Sequence, residues 1–438
     1  MTGLLLVNPP SPFLLDEKVF PPLGIMKVSA DLDAPLLDLA GEKNYLDVLS
    51  GALDGYTHVG VGATTPQLPF AAAIARRIRA VSSAKTILGG SHATVASGGP
   101  RPDKSLAGLF DHVIANDGAH GLRALAGGPS NGTAYPEGND WGRDRLDIES
   151  YRYEIDGHQA TSLISQFGCP FGCGFCCGRS IPFYRHVKYR QHADVIDEIR
   201  LLYRRYGFTG FMFYDDELNV HPKMIAFMGM LEDLQAELGV EFRFRGFVKA
   251  GIFTQAHATA MYRAGFRWLL CGFEGAEPGI LKNINKKATV EDNTEVVEFA
   301  KYAGMKVKAL MSIGHPGESP ASVRAVEDWL LDVEPEDFDV TVITPYPGSP
   351  YYDRAKKAGN IWRYETNGDV LYMDEIDYTV ESDFYKGMRG AYISHVHTDH
   401  LSRAEIVKAR DAVEGSVRDK LGIPYPTLNQ FEHSMGQA

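Results

Sequence analysis

Short apolar runs separated by stretches of helical periodicity organise the first third of the chain. Leu4-Leu-Leu-Val7 reads as a buried strand that stops at Asn8-Pro-Pro10. Leu36–Leu39, His58–Ala63, Lys85–Leu88 and Asp111–Ala115 read as further strands, with helices over Pro69–Val81 and Leu122–Ala126. Unalternating apolar runs are the mark of strands covered on both faces. Strand–helix alternation with Gly or Pro at the strand ends predicts an α/β fold with a parallel, doubly wound, Rossmann-like sheet. Ligands in such sheets bind beyond the carboxyl ends of the strands, where Gly62, Gly89, Gly90 and Gly118 fall.

A second alternating series follows a segment rich in Gly, Pro, Asn and Asp at 127–145, which reads as a linker. Strands are expected at Ser162–Ser165, Gly210–Tyr214, Glu241–Gly246, Trp268–Gly272, Lys306–Ile313 and Asp339–Ile343. Helices are expected over Ala193–Tyr206, Met224–Leu238, Thr254–Ala264, Val290–Ala303 and Pro320–Leu331. Six strand–helix units predict a partial (β/α)6 barrel of the TIM type. The expected division is 1–130, a connecting 131–150, a barrel over 151–345 and a mixed C-terminal extension over 346–438.

Composition narrows the function classes. The chain has 438 residues, 44 Lys+Arg against 56 Asp+Glu, and a net charge of −12, which argues against a bulk electrostatic grip on nucleic acid. Its acidity favours a small-molecule substrate. No apolar stretch approaches the length of a membrane span, and the N-terminal run ends at Asn8 without a basic segment before it, so a cytoplasmic protein is expected. Five cysteines rule out a disulfide framework, but four of them, Cys169, Cys173, Cys176 and Cys177, fall within nine residues.

The spacing Cys169-x3-Cys173-x2-Cys176 lies on a Gly-rich loop after the first barrel strand. Three thiolates on one loop can hold three irons of a 4Fe–4S cube and leave the fourth open to bind and activate a substrate. Gly168, Gly172 and Gly174 let the backbone wrap a bulky cluster and offer amides to its sulfurs. Zinc prefers four ligands, and Cys177 stands as the fourth thiol. Adjacent cysteines, however, seldom direct both thiolates at one tetrahedral ion. Cys177 and Cys271 read as buried hydrophobes.

This motif, with Phe175 before the third cysteine, resembles the radical SAM superfamily, and the resemblance continues down the barrel. Phe213-Tyr-Asp-Asp216-Glu217 resembles the acidic second-strand motif of its cobalamin-associated branch. Cys271-Gly-Phe-Glu274-Gly275 resembles the fourth-strand Gly-x-Glu-Ser turn, with Gly275 in place of Ser. Ile313-Gly-His-Pro316-Gly317-Glu318 and Thr344-Pro-Tyr-Pro-Gly-Ser-Pro350 resemble the fifth- and sixth-strand turns. The resemblance implies a 4Fe–4S cluster on Cys169, Cys173 and Cys176 and S-adenosylmethionine chelated at the open iron. It implies cofactor contacts from Phe175, Asp215, Asp216, Glu274, Gly314 and Pro316, with the Gly317 backbone close by. It also implies a reducing electron donor of flavodoxin or ferredoxin type. One electron cleaves the sulfonium to a 5′-deoxyadenosyl radical, which takes hydrogen from an unactivated carbon.

The first domain resembles the cobalamin-binding domains fused to such barrels, on Asn8-Pro-Pro10, Pro21-Pro-Leu-Gly24, Gly62-Ala-Thr-Thr-Pro-Gln67 and Leu88-Gly-Gly-Ser-His-Ala-Thr94. The resemblance implies corrinoid contacts from Asn8, Pro10, Thr64, Thr65, Gln67, Gly89, Gly90, Ser91, His92 and Asp117. Three features depart from the pattern. The helix after Gly24 is short, the Gly-Glu-Gly-Glu turn reads Asn116-Asp-Gly-Ala119, and the Asp-x-His-x-x-Gly cobalt-ligating pattern is missing. His92 therefore reads as a hydrogen-bonding or packing residue rather than an axial ligand.

His395-Val-His397-Thr-Asp399-His400 matches a metallo-β-lactamase signature, but only His433 follows it, and Ser402 with Glu405 reads as a helix cap instead. The expected function is that of a cobalamin-dependent radical SAM methyltransferase acting on an unactivated carbon. The alternatives are a radical rearrangement, cyclisation or oxidation without methyl transfer, and a non-catalytic cluster or corrinoid carrier.

Overall fold

The computed structural model describes residues 3–14, 16–101, 106, 108–125, 141–381, 390 and 392–425. The last residue of the expected Leu122–Ala126 helix, residues 131–140 of the expected linker, and His433 lie outside the described residues. The chain forms two compact units. One comprises Met1–Arg152 with Tyr346–Gly348 and Ile376–Tyr385; the other comprises Tyr153–Pro345, Ser349–Glu375 and Lys386–Ala438.

The first unit is a five-stranded parallel sheet of β1 (Leu4–Asn8), β2 (Leu36–Asp38), β3 (His58–Gly62), β4 (Lys85–Gly89) and β5 (His112–Val113). All of β1 is buried, as its apolar run requires, and Val59, Val61, Ile87 and Leu88 extend the same layer. Helices α1 (Leu23–Leu32), α2 (Tyr45–Gly51), α3 (Leu68–Val81), α4 (Gly90–Gly98) and α5 (Gly118–Leu125) follow the strands in turn. The spatial order β2-β1-β3-β4-β5 reverses direction between β1 and β3, which opens a crevice at their carboxyl ends. The sequence reading missed α4. Its residues 92–96 are all buried, so it has no polar face from which a period could be read.

The second unit is built on β6 (Tyr153–Ile155), β7 (His158–Leu163), β10 (Gly210–Phe213), β11 (Arg243–Phe247), β12 (Phe266–Glu274), β13 (Lys306–Ile313) and β14 (Asp337–Val342). A ribbon of β8 (Gln166–Phe167) and β9 (Lys188–Tyr189) projects from it. Strands β7 and β10 to β14 are parallel and lie in chain order, a curled half-barrel with β6 antiparallel on its edge. The first barrel strand begins four residues before the expected Ser162, because His158-Gln-Ala-Thr161 carries no apolar run and is held by pairing with β6.

Crossover helices α7 (His192–Tyr206), α8 (Met224–Leu238), α9 (Gln255–Arg263), α11 (Val290–Ala303) and α12 (Pro320–Val333) match the helical periodicity. The short α6 (Pro182–Arg185) and α10 (Pro278–Ile284) lie outside it. Between strands and helices, Phe211, Phe213, Phe244 and Phe266 stack at centroid distances of 5.4–5.8 Å, and Phe227 of α8 meets Phe213 edge-on.

An open half-barrel leaves β14 as an edge, and the C-terminal helix α14 (Arg403–Leu421) covers it. Arg410 Nε donates to the Val340 carbonyl at 2.8 Å, and Arg418 Nη2 donates to the Phe338 carbonyl at 2.6 Å. These arginines satisfy carbonyls that would otherwise template another strand. Glu414 accepts from both of them, so the cations are paired in the buried layer. The expected cap at Ser402 is present: Glu405 N donates to Ser402 Oγ and Ser402 N to Glu405 Oε2. Before α14, after the short α13 (Pro350–Arg354), an antiparallel sheet of β15 (Lys356–Ala358), β16 (Ile361–Thr366), β17 (Asp369–Met373) and β18 (Val396–Thr398) occupies the region the sequence left as mixed. His397 of the lactamase-like signature sits on β18 with its ring stacked on Tyr372 at 4.7 Å, and Asp399 accepts from the Tyr372 hydroxyl.

Candidate functional site

The cysteine segment is an excursion between β8 and β9, closed at its base by the pairs Gln166↔Tyr189 and Phe167↔Lys188. Gly168 turns the chain into it at φ +93°, with a Cβ position only 2.6 Å from the His186 carbonyl oxygen, so no other residue fits there. Cys169 N then donates to the Tyr184 carbonyl at 3.0 Å. Cys169 and Cys173 are buried and Cys176 is partly covered, packed with Cys173, Phe171 and Phe175 against Ile280 and Ile284. Among the described residues no three His, Cys, Asp or Glu side chains converge on one ion position. A cube makes a different demand, one thiolate at each of three corners.

Burial pushes these thiols up, Cys169 to about 11, while the Arg179 guanidinium opposes that rise at Cys169 and Cys176. Arg179 was not singled out from the sequence. Its side chain is buried, donates from Nη1 to the Cys169 carbonyl at 2.7 Å, and approaches Asp216 at 3.6 Å. Its Nε has no hydrogen-bond partner among the described residues. A fixed positive charge against three thiols is what a thiolate-bound metal centre needs.

The barrel mouth adds a ring of charged side chains at the carboxyl ends of successive strands, the usual position of a site in this architecture. Asp215, after β10, turns inward. Its carboxylate accepts from Ser165 N at 2.7 Å, from Gln166 N at 3.2 Å and from the Ser165 hydroxyl, so it ties the ends of β7 and β10 together. Burial pushes it up to about 7 against those bonds. Asp216 is exposed, and Glu217 is raised to about 7 by burial.

Glu274 closes β12 at a bulge with a left-handed φ of +69°, a strained conformation for a non-glycine residue. Its Oε1 takes Lys286 Nζ at 3.0 Å and its Oε2 takes the Ser312 hydroxyl at 2.7 Å. Burial works against ionisation, but the Lys286 ammonium and these bonds together hold Glu274 below the usual carboxylate range. Gly272 makes room for the pair: a Cβ there would lie 2.5 Å from Glu274 Oε1. Gly275, where the resemblance would put Ser, has Ile280 Cγ2 3.2 Å from its Cβ position.

His315 is fully buried, and desolvation lowers it to about 4, so it is neutral at pH 7. The Ser312 hydroxyl is committed to the Glu274 carboxylate, so its oxygen accepts from His315 Nε2–H at 2.8 Å. His315 Nδ1 is then the acceptor facing the Tyr351 hydroxyl at 3.4 Å. This fixes the imidazole tautomer. Gly314 and Pro316 are buried beside it, with Gly314 N donating to Glu318 at 3.2 Å, and the Phe175 ring lies 5.3 Å from the imidazole.

Lys249, also missed from the sequence, is 1% exposed, and its Nζ has no hydrogen-bond partner among the described residues. Its backbone is clamped by Asn219, which donates to Lys249 O at 2.9 Å and accepts from Lys249 N at 2.8 Å. The ammonium stands over the Phe171 ring at 5.2 Å and within electrostatic reach of Cys173, Glu217 and Lys286. A buried, unpartnered ammonium is costly unless an anion arrives. Lys249 and Ser312 share one sequence signal, a polar residue at or just after the end of a barrel strand; Lys286 follows α10 and Arg179 lies on the cysteine loop, where no such signal marks them.

Gly174 on the cysteine loop is held by Ile284 O, which its amide meets at 2.7 Å, and by Tyr351 N, which donates to its carbonyl at 2.8 Å. A Cβ there would lie 2.0 Å from the buried Tyr351 ring. Gly174→Ala is expected to cost about 1–3 kcal/mol of stability by overpacking. Pairing it with Tyr351→Leu should recover at least half of that in denaturant titrations.

In the first unit the expected contacts separate into two groups. Thr64, Gly89, Gly90, Ser91 and Asp117 lie on the accessible carboxyl edge of the sheet. Gly90, at φ +89°, brings the backbone so close to Ala63 that a Cβ would lie 2.6 Å from its nitrogen. Asn8, Pro10, Thr65, Gln67 and His92 are buried. Gln67 is a latch: it donates to Pro9 O and Ser11 Oγ and accepts from Thr64 N and Oγ1. Asn8 Nδ2 donates to Asp38 at 2.8 Å. The His92 Nδ1 meets Thr65 Oγ1 at 3.0 Å with the ring wholly buried, the hydrogen-bonding and packing position expected of it.

Residues 163–330 match the family model of the radical SAM superfamily. An uncharacterized methyltransferase of Pyrococcus horikoshii is 25% identical over an alignment covering 89% of this chain and 92% of that protein. The bacteriochlorophyllide d C-12(1)-methyltransferase of Chlorobaculum tepidum is 29% identical over 50% of this chain, which spans 47% of its length. Among solved structures, the radical S-adenosylmethionine methyltransferase TsrM of Kitasatospora setae, with cobalamin and a 4Fe–4S cluster bound, superposes with a TM-score of 0.71 at 16% identity, over 98% of this chain and 92% of that one. No helix among the described residues is long and apolar enough to cross a membrane.

Proposed function

We propose that this chain, whose residues 163–330 form a radical SAM domain, is a cobalamin-dependent radical S-adenosylmethionine methyltransferase acting on an unactivated carbon of a small molecule. The observation that carries this reading is the glycine-turned loop presenting Cys169, Cys173 and Cys176 beside the buried Arg179. Those thiols would hold a 4Fe–4S cluster, and Arg179 would offset the negative charge of the thiolates. When bound there, the cluster and S-adenosylmethionine supply an electron and a 5′-deoxyadenosyl radical. Lys249, an orphan ammonium near Cys173, fits the carboxylate of that cofactor. Asp216 and Glu274 fit its amino and ribose groups. Asp215, which accepts three bonds from Ser165 and Gln166, acts as a positioning residue between two strand ends. Phe175, whose ring meets His315, would line the same site with the flanking Gly314 and Pro316.

The first unit would take the corrinoid at its β1/β3 crevice. Thr64, Gly89, Gly90 and Ser91 fit it, because small residues and bare backbone admit a wide ring and amide-rich side arms. Bound there, a corrinoid supplies a methyl carrier. Asn8, Pro10, Thr65, Gln67 and His92 support that edge from below, and Asp117 caps α5 at its rim through a 2.8 Å bond from His120 N. Thiols so closely spaced need a reducing compartment, which supports a cytoplasmic address and an electron donor of flavodoxin or ferredoxin type.

Protein purified without oxygen should carry corrinoid, visible in its ultraviolet–visible spectrum and by mass. With reductant and substrate it should release S-adenosylhomocysteine and 5′-deoxyadenosine together, with a methylated product. Deoxyadenosine without methylation would select another radical reaction instead. No cleavage under strong reduction would favour a carrier role.

A further inference from the structure

The electron that such a site consumes must enter from outside, and one face of the second unit lies against the cysteine loop. A cavity of about 400 Å³ opens where the backbone of Gly172 and Gly174, the two neighbours of Cys173, forms part of the wall. Helices α10 and α13 flank it and grip the loop directly, through Gly174 N to Ile284 O and Tyr351 N to Gly174 O. Each contributes one cation to the rim, Lys282 and Arg354. Both are exposed, and neither has an ion-pair or hydrogen-bond partner among the described residues. No Asp or Glu lines the cavity, in a chain whose net charge is −12.

From this we propose that the groove between Lys282 and Arg354 is the docking surface for an acidic one-electron carrier protein of flavodoxin or ferredoxin type. The inference rests on the iron–sulfur reading above. Charge complementarity favours it: a local positive rim on an acidic protein selects and steers an acidic partner while bulk repulsion rejects other approaches. The lining favours a protein partner over a small ligand, since ligand pockets are mainly apolar and aromatic. This one is mostly Gly, Asn, Thr and charged side chains. On docking, one electron leaves the reduced carrier and enters the oxidised cluster, with no bond made or broken and no proton moved.

The test uses the full chain with its cluster loaded, checked first by its visible absorption. If the wild type forms no chromophore, the iron–sulfur reading fails and this inference fails with it. With the chromophore present, calorimetry reads the Kd for a flavodoxin and, in a separate arm, for a ferredoxin, at low and moderate salt. Stopped-flow absorbance reads cluster reduction by each carrier and by photoreduced deazaflavin, a small reductant that needs no docking. K282E/R354E should raise Kd at least tenfold and flatten its salt dependence for at least one carrier. It should slow reduction by that carrier in proportion and leave reduction by deazaflavin unchanged. K282Q/R354Q should give a smaller loss, and a charge-matched R76E/R204E pair none. An unchanged Kd for both carriers, equal slowing with deazaflavin, or an equal effect of the control pair would each overturn the proposal.

Discussion

Cys173→Ala protein, reconstituted with iron and sulfide without oxygen, is expected to keep less than a tenth of the wild-type cluster absorbance. Cys173 is buried at the centre of the loop, packed on Ile280 and Ile284, with Lys249 and Lys286 in electrostatic reach. Removing its thiol leaves two ligands for a cube that needs three, and two do not retain it. Cys169→Ala and Cys176→Ala should behave alike. Cys177→Ala and Cys271→Ala should retain the chromophore. Cys271 is fully buried on β12, and Cys177 adjoins Cys176, a neighbour with which it seldom shares one metal. Retention of the chromophore in Cys173→Ala, or its loss in Cys177→Ala, would overturn the ligand assignment. Far-ultraviolet circular dichroism, expected to stay close to wild type in every case, separates lost cluster from unfolded protein, and metal analysis reads the lost iron.

The barrel was legible in the sequence where a strand carries a regular apolar alternation or an unbroken apolar run. Lys306–Ile313 appears with the expected limits, because Val307, Ala309, Met311 and Ile313 alternate on a strand with neighbours on each side. Strand β7 was misplaced because its partner β6 and its own polar residues carry no such signal. The C-terminal sheet went unread for a similar reason: β15 is exposed throughout and β16 has no fully buried residue, and both are held by pairing rather than by burial. The cysteines were legible because their spacing is local. Arg179, Lys249, Lys286 and His315 were not, because they come from separate loops and only folding buries them and brings them together. The same holds for the polar residues at the edge of the first sheet, where a motif could not distinguish Thr64, open to solvent, from Gln67, spent on an internal latch.

Lys286→Met should lose S-adenosylmethionine binding by at least a hundredfold and destabilise the protein by about 3–5 kcal/mol, since it strands a buried carboxylate. Lys286 and Glu274 side chains are 5% and 11% exposed, and the pair is completed by Ser312. Removing both charges is a different perturbation. Lys286→Met with Glu274→Gln should recover most of the lost stability, because a buried pair replaced by neutral groups of similar volume is close to neutral. It should not recover cofactor binding, because the Glu274 carboxylate proposed to meet the cofactor stays absent, and with it the Lys286 ammonium that holds it in place. Melting and equilibrium dialysis would therefore part company in the double variant, a result that a purely structural pair cannot give. Acid supplies an independent check. The Glu274 carboxyl is depressed in the folded state, so its contribution is present above the unfolded value of about 4.3 and fades as pH falls through the lower folded one. The wild type should lose this increment of stability on acidification and the double variant should not. If cofactor binding returned with stability, the pair would be scaffolding and the recognition role would pass to Lys249 and Asp216.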